Sequence, residues 1–427
     1  MTVTEQSILI ISGARGDTRR YRTFHLYEQT CLLGMKSMLA HVTDRDLSAK
    51  VVGAGIIVLH RAAYNAQIAW LEKEIHARKG ILIHDLDDLI FDPQAFQYIN
   101  SVDFSDPVRA SLYQEEMSLN RNTLEMSDAV LSSTYYLAER VRNLGKPVMV
   151  HRNAFSMEML ERSEQAYKYH WVTKNKIVIG YASGTSTHNQ DFALIKPALQ
   201  STLRHHPDVE LWLVGPLDPG EGWNDFSHQI RRIKFVPWQK LPDIQVQFDI
   251  NLAPLQIDNP FGRSKSEIKY MEAALLRIPT IASPSEAFRY AIRQAENGFL
   301  AGNTQVWEET LESLIEQPEL RRRIGERAFE DVQLRYHPKV RARELVETLE
   351  ALLNQKLTLP TSDQQDAPSY TGSLPTDWDS AKLDRTPTLL QRGIYTLRYR
   401  NIITLIKQVW IYFRRLVVPV FPYRSKS

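Results

Sequence analysis

Short apolar segments alternate with longer amphipathic segments in two successive series along this 427-residue chain. Such alternation is typical of parallel α/β sheets, in which a helix connects each strand to the next. The first series predicts strands at 7–12, 55–59, 80–84, 129–132 and 148–151. The second predicts strands at 176–181, 210–214, 233–235, 250–253 and 280–282. The fold class is therefore α/β, with two Rossmann-like domains that face a central cleft.

The connecting segments and the changes in composition complete this predicted organisation. Helices are expected at 22–40, 66–78, 191–204 and 263–276. The first domain is assigned to 1–160 and the second to 161–354. The segment 355–387 is rich in Pro, Ser, Thr, Asp and Gln and is predicted to be a disordered linker. The last part, 388–427, is a basic amphipathic tail.

The overall composition excludes several classes of protein. The net charge of +2 gives no general reason to expect nucleic acid as a partner. Cys31 is the only cysteine, so neither disulfides nor a thiolate metal cluster is expected. No segment of about 20 uncharged apolar residues is present, and the N-terminal residues do not have the pattern of a signal peptide. We expect a cytoplasmic protein.

The tail combines positive charge with an apolar helical face. It carries eight Lys or Arg residues and no acidic residue. Ile402, Ile406, Val409 and Trp410 recur at helical spacing. This pattern suits a helix that lies in a lipid headgroup layer, peripheral on the inner face of the membrane. It also suits a helix that docks on the protein's own surface or on a partner.

The segment 259–283 is the most informative about function. It is predicted to form a polar loop, an amphipathic helix and an apolar strand. Arg263, Lys265 and Lys269 are three cations around the helix start, and Glu272 follows one turn after Lys269. Three cations can hold a diphosphate, and a carboxylate can accept hydrogen bonds from two vicinal hydroxyls. The combination predicts a nucleotide-sugar site.

This segment resembles the donor-binding segment of the retaining GT-B glycosyltransferases of group 1 (glycosyltransferase family 4-like). Members carry a Lys, a Glu three residues later, and a Pro before a β-branched strand, and Lys269, Glu272 and Pro279 are in that register. The chain departs from the pattern at two positions. Ser264 stands where the first of two glutamates is usual, with Glu267 nearby out of register, and Arg277 replaces the glycine of the turn.

The resemblance implies a GT-B fold and transfer of a sugar from a nucleotide-diphosphate donor to a hydroxyl with retention. It implies no cofactor, because the nucleotide-sugar is the co-substrate. It also implies no metal, because basic side chains and helix dipoles stabilise the leaving diphosphate in such enzymes. Glu272 would hold the ribose, and Lys269, Lys265 or Arg263 would neutralise the departing diphosphate. The acceptor would be a saccharide or lipid-linked saccharide in surface polysaccharide or glycolipid synthesis. Two alternatives remain: a GT-B epimerase or phosphorylase, and a catalytically silent sugar-nucleotide-binding scaffold.

A small-residue loop follows the first strand of the second domain. Ser183, Gly184 and Thr185 precede a helix start, where backbone N–H groups can approach an anion. The family has a phosphate-contacting loop at this point, so these residues are assigned to the donor. The alternative is that these residues only form the turn between the strand and the helix and bind no phosphate. His188 could contact the ligand, or it could be a solvated capping residue at the helix start.

The equivalent loop of the first domain is basic. Gly13, Arg20 and Arg22 are assigned to the cleft, and Arg15 and Arg19 lie in the same segment. Ligands of such folds bind at the carboxyl ends of the strands, which is where this loop is predicted. Related enzymes with this pattern use it against the diphosphate or an anionic acceptor. A solvated basic loop is the alternative.

Four carboxylates occur between Asp85 and Asp92. The resemblance places Asp87 and Asp88 on the acceptor side of the cleft, where one of them would orient the acceptor hydroxyl. Both are assigned as catalytic, with Lys269. Two alternatives are a Mg²⁺ or Mn²⁺ site and a structural Asp85 paired with Arg61 or His60.

Two further positions carry weaker signals. Trp238 follows a strand that presents backbone to the nucleobase in the family, although an aromatic residue there could simply pack at the edge of the sheet. Asn153 matches an asparagine that commonly precedes the family's interdomain linker.

Overall fold

Two six-stranded parallel sheets form the framework of the computed structural model, which describes residues 7–14, 17–99, 106–169, 176–353 and 388–417. The strand order of the first sheet is β2-β1-β3-β4-β5-β6, and that of the second is β12-β11-β10-β7-β8-β9. The strands of the first sheet are β1 Ile8–Ser12, β2 Ser37–His41, β3 Ile56–His60, β4 Ile81–Leu86, β5 Ala129–Ser132 and β6 Val148–Val150. Those of the second are β7 Ile177–Ala182, β8 Val209–Val214, β9 Ile230–Ile233, β10 Ile250–Ala253, β11 Thr280–Ala282 and β12 Phe299–Leu300.

Helices cover the faces of both sheets. The α-helices of the first half are α1 Asp17–Arg19, α2 His25–Leu32, α3 Leu47–Val52, α4 Ala66–Ala77, α5 Pro107–Met126, α6 Tyr135–Arg142 and α7 Met157–Tyr169. Those of the second half are α8 Asn189–Ala193, α9 Lys196–His205, α10 Leu241–Gln245, α11 Pro260–Ser264, α12 Ile268–Ala274, α13 Glu286–Ala291, α14 Thr304–Glu316, α15 Pro318–Arg335 and α16 Pro338–Leu353. The tail contains α17 Leu389–Tyr399 and α18 Ile402–Val417. A π-helical segment, Arg20–Phe24, joins α1 to α2, and short 3₁₀ turns lie at Pro93–Tyr98, Ser186–His188, Asn224–Phe226 and Trp238–Lys240.

The predicted pair of Rossmann-like domains is confirmed, but the helix predicted at 22–40 is wrong. Helix α2 ends at Leu32, and strand β2 follows within the same segment. Gly34 adopts a φ of 69°, which favours glycine, and the Gly34 N–H donates to the Cys31 carbonyl at 2.9 Å. This turn ends the helix and lets the chain add an edge strand, β2, beside β1.

The second domain differs from its prediction in four places. Strand β9 begins at Ile230, earlier than predicted, and the two-residue strand β12 was not predicted. The helix predicted at 191–204 is divided into α8 and α9. The helix predicted at 263–276 is divided into α11 and α12, with a break after Ser264.

Helix α16 leaves the second domain and packs on the first. Its buried residues Leu345, Val346 and Leu349 share a hydrophobic core with Ile8 and Ile10 of β1. Residues 338–353, which were assigned by sequence to the second domain, therefore complete the first. The predicted linker 355–387 lies outside the described residues.

The tail forms a helical hairpin that docks on the first domain. Asn65 donates a hydrogen bond to the Tyr395 hydroxyl at 2.8 Å, and Thr396 of α17 donates to Gln408 of α18 at 3.1 Å. Thr404 is buried, while Ile403 and Ile406 are exposed. Docking on the protein's own surface, one of the two explanations left open by the sequence, is therefore what the structure shows. No described helix is long and apolar enough to cross a membrane.

A buried carboxyl group at the domain junction generates a pH-dependent prediction. Glu28 of α2 is fully buried and accepts the Met157 N–H at 2.8 Å. Burial raises the pKa of Glu28 from 4.5 to about 8. Because the folded state keeps this proton to a higher pH than the unfolded chain does, its contribution to stability falls as the pH rises from 4.5 to about 8.

Glu28→Gln keeps an oxygen acceptor for Met157 and cannot ionise. We expect the variant to exceed the unmodified chain in free energy of unfolding by on the order of 2 kcal/mol at about pH 9, and by much less at about pH 5. Urea denaturation at the two pH values measures this. The exposed Glu161→Gln serves as the control. Equal stability of Glu28→Gln and the unmodified chain at the higher pH would contradict the assignment.

Candidate functional site

A cavity of about 260 Å³ lies between the two domains, at the carboxyl ends of both sheets. Eight of the residues assigned to the site from the sequence line it. They are Arg20, Asp87, Asp88, Ser183, Gly184, Lys265, Lys269 and Glu272. Four others, Gly13, Arg22, Thr185 and Arg263, are not part of its lining. The cavity brings cations, carboxylates and aromatic side chains from both domains onto one surface.

Arg22 is buried beneath the cavity and does not face the cleft. Its Nε donates to Asp85 Oδ2 at 3.0 Å, its Nη2 contacts the other carboxylate oxygen, and its Nη1 donates to the His151 carbonyl at 2.7 Å. Nη1 also lies 3.2 Å from Asn153 Oδ1. The partner of Asp85 is therefore Arg22. The sequence alternative, in which Asp85 pairs with Arg61 or His60, is wrong about the partner. Arg22 joins the π-helical segment, strand β4 and the interdomain crossover.

Arg20 and Tyr21, which precede Arg22, reach across the cleft to Glu272. The Tyr21 hydroxyl donates a hydrogen bond to Glu272 Oε1, and Arg20 Nη2 lies 3.6 Å from the same oxygen. The Arg20 guanidinium also stacks 4.8 Å from the centroid of the Trp238 ring. Tyr21 was not assigned from the sequence, because nothing in a lone tyrosine within an arginine-rich segment indicates a partner 251 positions away.

Gly13 is required for a close approach of two backbones. A Cβ at this position would lie 2.4 Å from the Arg61 carbonyl oxygen, and Arg61 itself has a φ of 47°. The Gly13 N–H donates to the His60 carbonyl at 2.8 Å. Gly13 therefore positions Arg61, which lines the cavity and which the sequence analysis did not assign. Arg15 lies outside the described residues.

Asp87 is held by two basic side chains of the first domain. Arg61 Nε donates to Oδ1 of Asp87, and His60 Nε2 lies 3.3 Å from the same oxygen. Burial alone would raise the pKa of Asp87, but Arg61 and His60 outweigh it and hold the pKa well below its ordinary value. Asp87 is thus an ionised carboxylate at neutral pH.

Asp88 bridges the two domains. Its Oδ2 accepts from Lys265 Nζ at 2.7 Å, and its Oδ1 accepts from the Ser264 hydroxyl at 2.9 Å. Burial alone would raise the pKa of Asp88, but Lys265 and Arg61 lower it by more than burial raises it. The pKa of Asp88 therefore lies below its ordinary value. Ser264, at the position of the family's first glutamate, is therefore engaged with the first domain.

A Mg²⁺ or Mn²⁺ site was one of the alternatives for the four carboxylates between Asp85 and Asp92. Among the described residues, no group of three or more His, Cys, Asp or Glu side chains is arranged to hold a metal ion. The fourth carboxylate of the cluster, Asp92, caps the following turn by accepting from the Gln94 N–H at 3.1 Å.

Lys269 is a half-buried cation in the wall of the cavity. Its ammonium group donates to the Ala182 carbonyl and lies 4.7 Å from the centroid of the Tyr181 ring. Burial lowers the pKa of Lys269, although Glu272 and Asp191 favour its charged form. An anion in the cavity would add to this stabilisation of the charged form.

Glu267 and Arg263 have other contacts. Glu267 is buried, with Arg152 Nη1 3.4 Å away and the Tyr336 hydroxyl donating at 3.0 Å. Arg263 is exposed, and its guanidinium lies 4.5 Å from the centroid of the Tyr136 ring in the first domain. Neither side chain is part of the cavity wall.

Arg277 occupies the turn where the family usually has glycine, with a φ of 58°. Its guanidinium stacks on Phe329 at 3.8 Å and on Tyr167 at 4.1 Å. These contacts compensate for a backbone conformation that disfavours a side chain.

The loop after β7 contributes backbone and one histidine. The Ser183 N–H already donates to the Val214 carbonyl at 2.9 Å, so this amide is not available to an anion. Thr185 is not part of the cavity lining, while Gly184 belongs to it. His188 also lines the cavity, and its Nδ1 lies 2.8 Å from Asp191 Oδ2, which fixes the ring orientation.

An aromatic rim completes the second-domain side of the cavity. Phe235 is 56% exposed, and it lines the cavity together with Val236 and Trp238. An exposed phenylalanine beside a polar cleft suits stacking with a planar ring. The sequence signal for this rim is the Phe-Val-Pro-Trp run, and the structure places both of its aromatic residues at the cavity.

Comparisons with known proteins agree with this geometry. Residues 195–347 match a family model described as glycosyl transferase-like. No curated protein sequence matches the chain. The solved structure of HepE from Anabaena in complex with UDP-glucose is 17% identical, with a TM-score of 0.55 over 81% of this chain and 100% of that one. Sucrose-phosphate synthase from Thermosynechococcus elongatus is 13% identical, with a TM-score of 0.56 over 82% and 100%.

A glycosyltransferase from Rickettsia africae gives the same result, with 14% identity and a TM-score of 0.56 over 82% of this chain and 99% of that one. The fold is that of the GT-B glycosyltransferases, and the second domain carries the glycosyltransferase-like family match. The predicted GT-B fold is therefore confirmed.

The contacts of Asp88 generate a stability prediction. Asp88→Asn removes the negative charge that neutralises Lys265 across the cleft. We expect the free energy of unfolding to fall by about 2 kcal/mol, because a partly buried cation loses its partner. Glu319→Gln, which breaks an exposed ion pair with Arg322, should cost no more than about 0.5 kcal/mol. Urea denaturation of both variants is the measurement, and equal small losses would show that the bridge does not stabilise the fold.

Proposed function

We propose that the protein transfers a sugar from a nucleotide-diphosphate donor to a hydroxyl acceptor, with retention at the anomeric carbon. The observation that carries this proposal is the cavity shared by Lys265, Lys269 and Glu272 of one domain and Arg20 of the other. The cations suit a diphosphate, the carboxylate suits a ribose and the aromatic rim suits a base. UDP-glucose is the first donor to test, since HepE was crystallised with it.

Glu272 is the proposed ribose ligand. In the structure its carboxylate is already engaged by Tyr21 and Arg20 of the first domain. A ribose that binds Glu272 would either share this carboxylate with the Tyr21 hydroxyl or displace that hydroxyl from it. Donor binding is thereby coupled to the contact that holds the two sides of the cleft together, and closure over the donor would exclude water.

The reaction breaks the bond between the anomeric carbon and the diphosphate oxygen and forms a bond to the acceptor oxygen. Lys269 and Lys265 would stabilise the negative charge that develops on the departing diphosphate. The acceptor proton would pass to that diphosphate, as the family resemblance implies. Asp87, ionised and held by Arg61 and His60, would orient the acceptor hydroxyl. Asp88 would position Lys265.

The proposed setting is surface polysaccharide or glycolipid synthesis, with the enzyme cytoplasmic and peripheral on the inner face of the membrane. The exposed apolar residues of the tail support membrane contact. They are Leu390, Ile394, Leu397, Ile402, Ile403, Ile406 and Trp410. So many exposed apolar side chains on one hairpin suit a lipid headgroup layer.

Donor binding tests the function directly. Glu272→Ala should weaken UDP-glucose binding by roughly tenfold to a hundredfold, because two charge-assisted hydrogen bonds are lost. Isothermal titration calorimetry measures this, and release of UDP measures turnover. Glu296→Ala, an exposed carboxylate of the same domain, is the matched control and should bind normally. Unchanged affinity in Glu272→Ala would contradict the site, and tight binding without transfer or hydrolysis would favour the scaffold.

Membrane contact has its own test. Ile403 and Ile406 of α18 are 63% and 61% exposed. Replacing both with serine should weaken cosedimentation with anionic phospholipid vesicles by roughly tenfold, because apolar surface no longer enters the lipid. Leu334→Ser, on the second domain and 73% exposed, should bind vesicles like the unmodified chain. Equal vesicle binding by all three proteins, or none by the unmodified chain, would contradict membrane contact.

A further inference from the structure

A second and larger cavity, of about 740 Å³, lies between the docked hairpin and the first domain. We call it the hairpin chamber. Helix α5 supplies one wall through Leu112 and Met117, and the hairpin supplies the opposite wall through Leu405 and Val409. A chamber of this size is large enough for part of a chain-like ligand. Helices α17 and α18 form one side of the chamber. The tail therefore has one face toward the chamber and another toward the solvent.

The polar lining of the chamber is strongly basic. Among the described residues that line it, four are arginines and one is a carboxylate: Arg61, Arg109, Arg392, Arg400 and Glu116. Arg61 is neutralised by Asp87, and Arg400 lies 3.4 Å from Glu116. The positive charge left to a ligand therefore comes from the remaining two arginines.

Arg109 and Arg392 each have a buried Nε atom with no hydrogen-bond partner among the described residues. Arg109 belongs to α5 and Arg392 to α17, so the two groups face the chamber from its opposite walls. A buried guanidinium N–H without an acceptor is costly, and an anion would satisfy both. The Oδ1 atom of Asn120, on the same helix as Arg109, is also buried and without a donor.

The remaining lining is apolar. Ile90, Leu112, Met117, Leu389, Leu405, Val409 and Ile411 contribute aliphatic surface, and Tyr113 and Tyr412 contribute aromatic rings. A small inorganic anion would leave this surface unfilled, and a plain hydrocarbon would leave both arginines unpaired. A ligand that joins an anionic group to an apolar chain satisfies both parts of the wall.

The hairpin chamber adjoins the interdomain cavity. Thr18 and Arg61 line both spaces. A ligand whose polar end reaches these residues would lie beside Asp87, which Arg61 holds at the edge of the donor cavity. The arrangement leads from the exposed apolar hairpin surface, through the chamber, to the proposed site of transfer.

On these contacts, and resting on the proposed transferase function, we propose that the hairpin chamber binds the acceptor, a lipid phosphate or diphosphate. The anionic group pairs with Arg109 and Arg392, and the lipid chain lies between α5 and the hairpin. The exposed outer face of the hairpin supplies the lipid from a membrane, and the hydroxyl or saccharide at its polar end points past Arg61 toward the donor. The chamber thereby determines the acceptor class.

Binding of short amphiphiles to the full chain tests this assignment. Decyl phosphate, used below its micelle-forming concentration, is compared with decanol and with inorganic phosphate by isothermal titration calorimetry. We expect decyl phosphate to bind at least roughly tenfold more tightly than either fragment, because only it satisfies both the arginines and the apolar wall.

The variant Arg109→Gln/Arg392→Gln should weaken decyl phosphate binding by roughly tenfold or more. Arg398→Gln is the matched control, since Arg398 is exposed on the same helix as Arg392 and does not line the chamber. It should bind decyl phosphate within about twofold of the unmodified chain. UDP-glucose titrated into the same samples should give unchanged affinity in every variant, which also shows that the variants are folded.

Four results would overturn the proposal: no binding of decyl phosphate, equal binding of decanol, equal binding of inorganic phosphate, or full affinity in the double-arginine variant. If UDP-glucose still binds in any of these cases, the donor function survives and only the acceptor assignment fails. If decyl phosphate binds as expected and UDP-glucose does not, the chamber stands and the transferase function fails.

Discussion

The buried contact between Arg22 and Asp85 sets the geometry on which the rest of the cleft depends. Arg22 lies within the first domain and donates to Asp85 at the end of β4, to the His151 carbonyl and to Asn153. Removal of one partner of such a buried pair typically costs about 3–5 kcal/mol, because the other charge is left without compensation. Because Arg22 points into the first domain, the preceding Arg20 and Tyr21 lie on the cleft side of the segment and contact Glu272. One inward-facing side chain thus determines which neighbours form the wall of the cavity.

The electrostatics of the cavity follow from that arrangement. Asp87 and Asp88 are both paired with cations, and their pKa values lie below the ordinary range. Lys269 differs, because burial lowers its pKa and its hydrogen bond goes to a backbone carbonyl. The cavity therefore has carboxylates that are paired with cations, and a lysine whose hydrogen bond goes to a neutral carbonyl group. Such a surface favours an anionic ligand, and the same logic applies to Arg109 and Arg392 in the hairpin chamber.

Local sequence patterns predicted the parallel sheets and the Lys269–Glu272 segment well, because strand runs and helix starts depend on neighbouring residues. The edge strand β2 was missed, since the helix before it ends at Leu32 and the turn at Gly34 follows without a break in the apolar pattern. Contacts distant in sequence were beyond reach: Tyr21 with Glu272, Lys265 with Asp88, and the pairing of Arg22 with Asp85. The docking of α16 on the first domain was not predicted, and docking of the tail on the protein's own surface was only one of the alternatives. Both segments are amphipathic helices, and the local pattern does not specify their partners.

Binding of a nucleotide-sugar at the interdomain cavity is the central claim. The most direct measurement is a thermal-shift panel of UDP-, GDP-, ADP- and dTDP-sugars, run with EDTA and again with Mg²⁺. A ligand that binds the folded state raises the melting temperature by mass action. We expect a clear upward shift of the melting temperature with one nucleotide class, retained in EDTA, since Lys265, Lys269 and Arg20 supply the positive charge. No shift with any nucleotide-sugar, or a shift that requires Mg²⁺, would contradict it.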